Sequence, residues 1–386
     1  MNVNLLGIHL RLRLGTTTAE PATPFIAEAL RKVTVTTSDS DKERSGFQLT
    51  FHVGRVAAFD ILDFRLLKNP LLQPFSRVGL TVTFNATVYP LMDGIITSVQ
   101  LTPSAEPGAS TLTVTGEDVS VMMDLEEAAK QFPGQNHASI VRDILKNYKN
   151  YFTVLDVGTS LKSVPEIKKD DSPDPKKKTP TKPTNMTDLG YIKDLAKKNG
   201  FAFYVEPLKA PNTNRAYWGP PERIAAPQKA LNVNLGPQTN VESINFSYKA
   251  LAAQKVAVML KDGKEQVVES YPPLRGLLAR KTAEMKVKKF YERPEGQEDK
   301  EALAEAQAQV SRALDEVVTV KGSLNALSYG APLRPRTLVD LRGAGLSYDG
   351  TYYVKQVTHT LSKGEYKQEF TLTREGTGAL LPFVRP

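Results

Sequence analysis

The chain has 386 residues, 50 Lys and Arg against 42 Asp and Glu, a formal charge of +8, and no cysteine. That length exceeds one ordinary core and predicts roughly two to four domains, while the missing cysteine excludes disulfide scaffolds, thiolate metal sites and cysteine nucleophiles. The positive balance would suit nucleic acid, but it concentrates in "KKDDSPDPKKKTPTK" and "KTAEMKVKKF", which lack aromatic stacking partners; these read as solvated runs, and no specific nucleic-acid partner is expected.

In chain order, "MNVNLLGIHLRLRLG" is not a signal peptide, because Arg11 and Arg13 interrupt its apolar run. Ile8, Leu10, Leu12 and Leu14 alternate with His9, Arg11 and Arg13, the pattern of a half-buried strand. No apolar run approaches the ~20 residues of a membrane span, so stable membrane insertion is not expected and synthesis in the cytoplasm is. After a short helix near 22–31, the segments "FQLTFHV", "LTVTFNATVY", "IITSVQL" and "STLTVTGED" carry Thr, Val and Phe at period two. Residues 1–118 therefore read as a compact β domain, a small barrel or closed sandwich.

Residues 119–235 change character. "SVMMDLEEAAKQF" reads as a helix stopped at Pro133-Gly134, and "NHASIVRDILKNYKNY" as a second, with Ile140, Ile144 and Leu145 on one face. The Lys/Pro tract 168–184 has almost nothing to bury and reads as a disordered loop. Directly after it comes "TDLGYIKDLAKKNGFAFYVEP", a tightly specified helix–strand unit. Thr187 is the expected N-cap, Asp188 favours the positive end of the helix dipole, and Gly200 supplies the left-handed C-cap. Leu189, Ile192, Leu195 and Ala196 form its apolar stripe. In the strand, Phe201, Phe203 and Val205 oppose Ala202, Tyr204 and Glu206. Both apolar faces need a partner, so the loop is an excursion from one α/β domain spanning 119–235.

Residues 236–376 return to strands, with a hairpin turning at Asp262-Gly263, the Ala-rich helix "EDKEALAEAQAQVSRAL" near 298–314, and three final strands. Residues 377–386, "TGALLPFVRP", form a tail. Two β segments look alike: "LTVTFNATVYPLMDGIITSVQLTPSAEPGASTLTVTGED" and "TLVDLRGAGLSYDGTYYVKQVTHTLSKGEYKQEFTLTREG". Each runs strand, Asp-Gly turn (Asp93-Gly94, Asp349-Gly350), strand, hairpin loop and a Thr-Leu-Thr strand. Shared turn chemistry alone could produce such meanders. A true duplication would give one chain two similar β-barrels, and a trimer of such chains a ring of six.

Catalytic signatures are missing from the sequence. His9, His52, His137 and His359 show no helical i, i+4 spacing, and no metal site is expected. His359, alternating with apolar residues in "VTHTL", reads as a packed or surface strand residue rather than a ligand. No G-x-S-x-G or Walker loop occurs, and "RGAGLSYDG" reads as a turn. No catalytic or cofactor-binding residue is assigned, no cofactor is expected, and the chain does not read as an enzyme.

The helix–strand unit 187–207 resembles a signature of contractile-tail hub proteins: the phage late control D family, the T-even baseplate hub and the hub half of VgrG proteins. "YDGTYYVKQVTHTLSKGEYKQEFTLTRE" is similar to that family's closing strands, where a Gly-x-Tyr-x-Val strand leads to a Val-x-His pair. "EALAEAQAQVSRAL" and "NHASIVRDILKNY" resemble its preceding helices. The matches run in order from about 136 to 375, whereas the N-terminal barrel matches in character only. The resemblance implies an α+β, mostly β fold: two tube-like β-barrels joined by an α/β bracing domain, in a ring-shaped homotrimer. Such a ring adapts a sixfold tail tube to a threefold spike, within a phage virion, tailocin or injection particle. Tail tube protein, spike protein and other baseplate components are the implied partners. No OB-fold or repetitive β-helix is read in these 386 residues, in contrast to VgrG, so the spike is expected to be a separate chain. Leu380, Leu381 and Phe383 are then the expected spike or subunit interface. A cell-wall hydrolase and a glycan- or receptor-binding module, the latter suggested by the aromatics of "NRAYWGP", are the alternatives.

Overall fold

The computed structural model describes residues 7–39, 43–54, 64–106, 109–158, 180–223, 225–268, 278 and 281–378. The chain is mostly β. Strand β1 (Ile8–Gly15) buries Ile8, Leu10, Leu12 and Leu14, as their alternation predicts. Helix α1 (Pro24–Ala29) is followed at once by β2 (Leu30–Ser38), then β3 (Gly46–Val53). The first meander is β4 (Arg77–Phe84), β5 (Thr87–Thr102) and β6 (Ser110–Asp118). "LTVTFNATVY", expected as one strand, is bent in two. Asn85 and Ala86 adopt φ of 47° and 64°, the two left-handed residues of a tight hairpin, and β5 continues through Asp93-Gly94 without turning.

The reason lies in what those two residues touch. Asp93 is a buried partner of Arg77, at 2.6 Å. A Cβ on Gly94 would fall 2.3 Å from the Glu117 carbonyl oxygen and 2.8 Å from the Phe47 ring. Gly94 is therefore a site of close strand and ring approach, not a turn residue. The expectation of a turn at Asp349-Gly350 fares better: both residues close the loop between β16 (Leu338–Arg342) and β17 (Gly350–Ser362), and Asp349 Oδ1 accepts from Ala344 N at 2.7 Å.

A second core gathers around α2 (His137–Lys146), α3 (Asp188–Asn199) and a three-stranded sheet. Its strands are β7 (Val154–Val157), β8 (Ala202–Pro207) and β9 (Asn214–Gly219), in the order β8–β9–β7. Ile140, Ile144, Leu145, Leu189, Ile192, Leu195 and Ala196 are all buried in it. The Thr187 hydroxyl accepts from Gly190 N, and Gly200 takes φ 68°, which terminates α3 as read. The same glycine lets α4 (Asp299–Asp315) approach; a Cβ there would sit 3.2 Å from Ala308 Cβ.

Two expectations in this region fail, and a third is corrected at one end. Residues 119–132 are not a helix. A 3₁₀ turn at Val119–Met123 is capped by Asp118, Asp124 is tied to Arg44 and Thr187, and Phe132 lies against Tyr191 at 6.0 Å. These contacts override the Ala/Glu propensity. The Lys/Pro loop 168–184 lies outside the described residues up to 179, but its end is built into the fold: Thr181–Lys182 pair with Lys130–Gln131, and Lys182 Nζ is buried 2.5 Å from Asp188 Oδ1. Finally, β8 buries both faces: Tyr204, expected on the polar side, stacks on Tyr217 at 4.7 Å.

The remaining strands are β10 (Gln228–Asn232), β11 (Ser243–Tyr248), β12 (Gln254–Met259), β13 (Glu265–Val268), β14 (Val287–Phe290), β15 (Val318–Asn325) and β18 (Glu365–Arg374). Strands β12–β14 form a small sheet covered by α4, inserted between the neighbours β11 and β15. The two β regions, expected as separate barrels, share one sheet. Its path is β11–β15–β18–β17–β2–β3–β6–β5–β4–β1, with β16 and β10 branching from β17. Among the described residues β1 and β2 do not pair, so the first region is not closed by its own hydrogen bonds. Instead β2 lies antiparallel to the distal part of β17, from Ser38↔Gln356 to Lys32↔Ser362. The proximal part of the same β17 edge pairs with β16.

Leu195, 1% exposed, sits centrally in the α3 core. Leu195→Ala should cost about 2–5 kcal/mol in equilibrium urea unfolding. A cost below about 1 kcal/mol would contradict the packing described.

Candidate functional site

Three cores meet along the β2–β17 seam, and buried arginines hold them together. Arg336 precedes β16 with φ 61°, a left-handed conformation costing a non-glycine residue about 1 kcal/mol or more. The strain places its guanidinium where all three units converge. It donates to the Val205 carbonyl on β8 and the Ser38 carbonyl on β2, each at 3.0 Å, and lies 4.0 Å over the Tyr204 ring. Nearby, the Tyr353 hydroxyl donates to Asp39 at 2.6 Å. Burial pushes the Asp39 carboxyl above its ordinary range and the Tyr353 phenol well above its own.

A second anchor joins the first β region to the α/β core. Arg77 Nε and Nη2 donate to the two oxygens of Asp93 at 2.8 and 2.6 Å, and both residues are buried. Asn214 Nδ2 donates to the same carboxylate and to the Tyr151 carbonyl, each at 2.9 Å. Removing one member of such a pair leaves an unpaired buried charge, a loss of about 3–5 kcal/mol.

Beside the seam opens a cleft of about 630 Å³, lined by the start of β5, the end of β8, residues 228–229, the loop 331–337 and His359. Of the two placements open to it, His359 takes the packed one: it is 3% exposed, with Nδ1 2.8 Å from the Tyr366 hydroxyl. Burial lowers its pKa to about 4.

The expected interface residues Leu380, Leu381 and Phe383 lie outside the described residues. The aromatics of "NRAYWGP" are not a glycan platform. Tyr217 and Trp218 are 1% and 2% exposed, and Trp218 donates to the Ile192 carbonyl and packs edge-on to Phe201. Among the described residues no group of three or more His, Asp or Glu is placed to hold a metal ion, and no helix is long and apolar enough to cross a membrane. The seam arginines and the cleft went unread in the sequence; their only signal was the Pro-Arg-rich "PLRPR" before β16.

His359 makes stability pH-dependent. Its folded value lies below the ~6.5 of an unfolded histidine, so the unfolded chain binds the extra proton between these limits. This contribution is full above pH 6.5 and is lost as pH falls towards 4, by about 3 kcal/mol. The raised Asp39 and Asp118 carboxyls act in the opposite direction. Unfolding free energy measured from pH 7 to 4 should therefore fall more steeply for wild type than for His359→Gln; equal slopes would refute the assignment.

No protein-family model matches the chain, and no curated protein matches it by sequence. Solved structures do. A tail protein from Neisseria meningitidis aligns over 96% of this chain and 98% of its own, at 14% identity and TM-score 0.62. The 43 kDa tail protein of a Shewanella oneidensis prophage covers 95% and 98%, at 12% identity and TM-score 0.63. The E. coli c3393 protein, a component of the type VI secretion system, covers 92% of this chain and 77% of its own, at 12% identity and TM-score 0.54. From end to end, the chain has the fold of phage tail proteins and of a type VI secretion component.

Proposed function

We propose that the chain is a structural hub in the baseplate of a contractile tail or injection system. The observation that carries this reading is the end-to-end likeness to tail proteins, which covers both β regions and the core between them. In this reading residues 1–118 and 236–376 are two related tube-like units and 119–235 is the brace. Three copies form a ring with six such units, which adapts a sixfold tail tube to a threefold spike. The paired meanders β4–β6 and β16–β18 support it, since each runs through three consecutive antiparallel strands. The protein works by shape rather than catalysis, with tube protein, spike protein and other baseplate components as partners. Assembly takes place after synthesis in the cytoplasm, into a virion, tailocin or injection particle. The last residues supply the spike or subunit contact through Leu380, Leu381 and Phe383, side chains whose burial is worth about 1.5–3 kcal/mol each before ordering costs.

Light scattering should give about three times the 42.5 kDa chain mass, alone or with tube and spike proteins added. A stable monomer or dimer in that mixture would overturn the ring. Truncation after Thr377 should weaken spike capture in a pull-down; unchanged capture and unchanged trimerisation would remove the tail from the interface.

A further inference from the structure

The cleft beside the seam has features that the hub reading does not use. The first is a buried donor. Gln368 is fixed in orientation because its Oε1 accepts from Leu333 N at 2.8 Å and its Nε2 donates to the Leu333 carbonyl at 2.9 Å. That places Gln368 Nε2, which can only donate, 3.1 Å from His359 Nδ1. Nδ1 must accept, so the neutral ring carries its proton on Nε2. No hydrogen bond engages that N–H among the described residues, and His359 lines the cleft.

The second feature is an open strand edge. Thr87–Leu91 also line the cleft. One edge of this stretch pairs with β4, from Thr87↔Phe84 to Pro90↔Thr81. On the other edge, pairing with β6 begins only at Gly94↔Asp118. The stretch therefore presents main-chain carbonyls and, Pro90 apart, N–H groups without a strand partner among the described residues, enough for a short extended segment to add.

The third feature is the charge and polarity of the walls. Lys209, Lys229 and Arg334 line the cleft and make no ion pair among the described residues, whereas the one lining carboxylate, Glu206, is held by Arg215 at 2.6 Å. Between the cations the walls are apolar, with Leu91, Leu208 and Pro332 among them. A free anion would have no use for those walls. A polynucleotide would have no use for a strand edge.

We propose that this cleft receives an extended, acidic peptide segment of a partner protein. It lies along the free edge of β5 and sets carboxylates on Lys209, Lys229 and Arg334. The cleft is lined by both β regions and by β8 of the brace, so an occupant touches all three units at once.

The test is selection of random octapeptides displayed against the immobilised full chain, followed by fluorescence anisotropy of the enriched sequences. The comparison protein is Lys229→Glu/Arg334→Glu, whose two positions are exposed and whose unchanged melting temperature verifies the fold. Enriched peptides should carry several Asp or Glu residues among apolar ones and lose about tenfold or more in affinity on the double variant, as reversed charges across an interface do. Versions with Lys in place of the acids should regain binding there. The proposal is overturned if no peptide is enriched, if enriched peptides show no acidic bias, if the variant binds them equally, or if a thymidine oligonucleotide displaces them and binds more tightly itself.

Discussion

Everything in this molecule leans on the antiparallel pairing of β2 with the far half of β17. A strand of 13 residues uses one edge twice, first for β16 of its own region and then for β2 of the other. The irregularity that separates the two uses falls between Val354 and Gln356 in its pairing with β18. A bulge at such a point bends the strand and increases its twist. The two β regions therefore cannot move as separate bodies without breaking ladder hydrogen bonds. The hydrophobic cores respect this: Leu361 and Tyr366, from the β17–β18 hairpin, pack into the first core.

The arginines complete what the ladder begins. Backbone pairing fixes two strands in register but leaves the α/β core free to slide over them. Arg336 reaches from the second β region to carbonyls on β8 and β2 with a fork geometry that a lysine could not reproduce, while Arg77 fixes Asp93 within the first region so that Asn214 of the α/β core can bond to it. Their burial makes these contacts demanding, since a misplaced partner leaves a charge without water. Such junctions favour one relative placement of the cores.

Local signals carried much of the fold. Thr187 and Gly200 bound α3 because caps are read from neighbouring residues, and Asp262-Gly263 marks its hairpin for the same reason, with Gly263 at φ 83°. The most consequential strand was missed. In β2, Val33 and Val35 alternate clearly, but the segment follows a short helix directly and its partner on β17 is remote in sequence. Asp93-Gly94 misled because an Asp-Gly pair means a turn only when backbone conformation is its purpose; here the acid serves Arg77 and the glycine makes room for Phe47. The seam and the cleft were illegible for a common reason. Each draws side chains from three distant segments, and no window of sequence contains them together. Leu380, Leu381 and Phe383 lie beyond the described residues, so the tail remains a reading of composition.

The seam also sets an order of events at the ribosome. Thr36 and Thr358, whose hydroxyls lie 3.1 Å apart across it, are separated by 322 positions. At about 5–20 residues per second, β2 emerges roughly 15–60 s before the strand that will cover its edge. Throughout that interval the nascent first region has an open, Val- and Thr-rich edge, the kind of surface that recruits a wrong partner strand. Several ribosomes on one message would hold several such edges close together. Yield of native protein should therefore depend on how quickly the last third of the chain follows the first, a kinetic demand written into the topology itself.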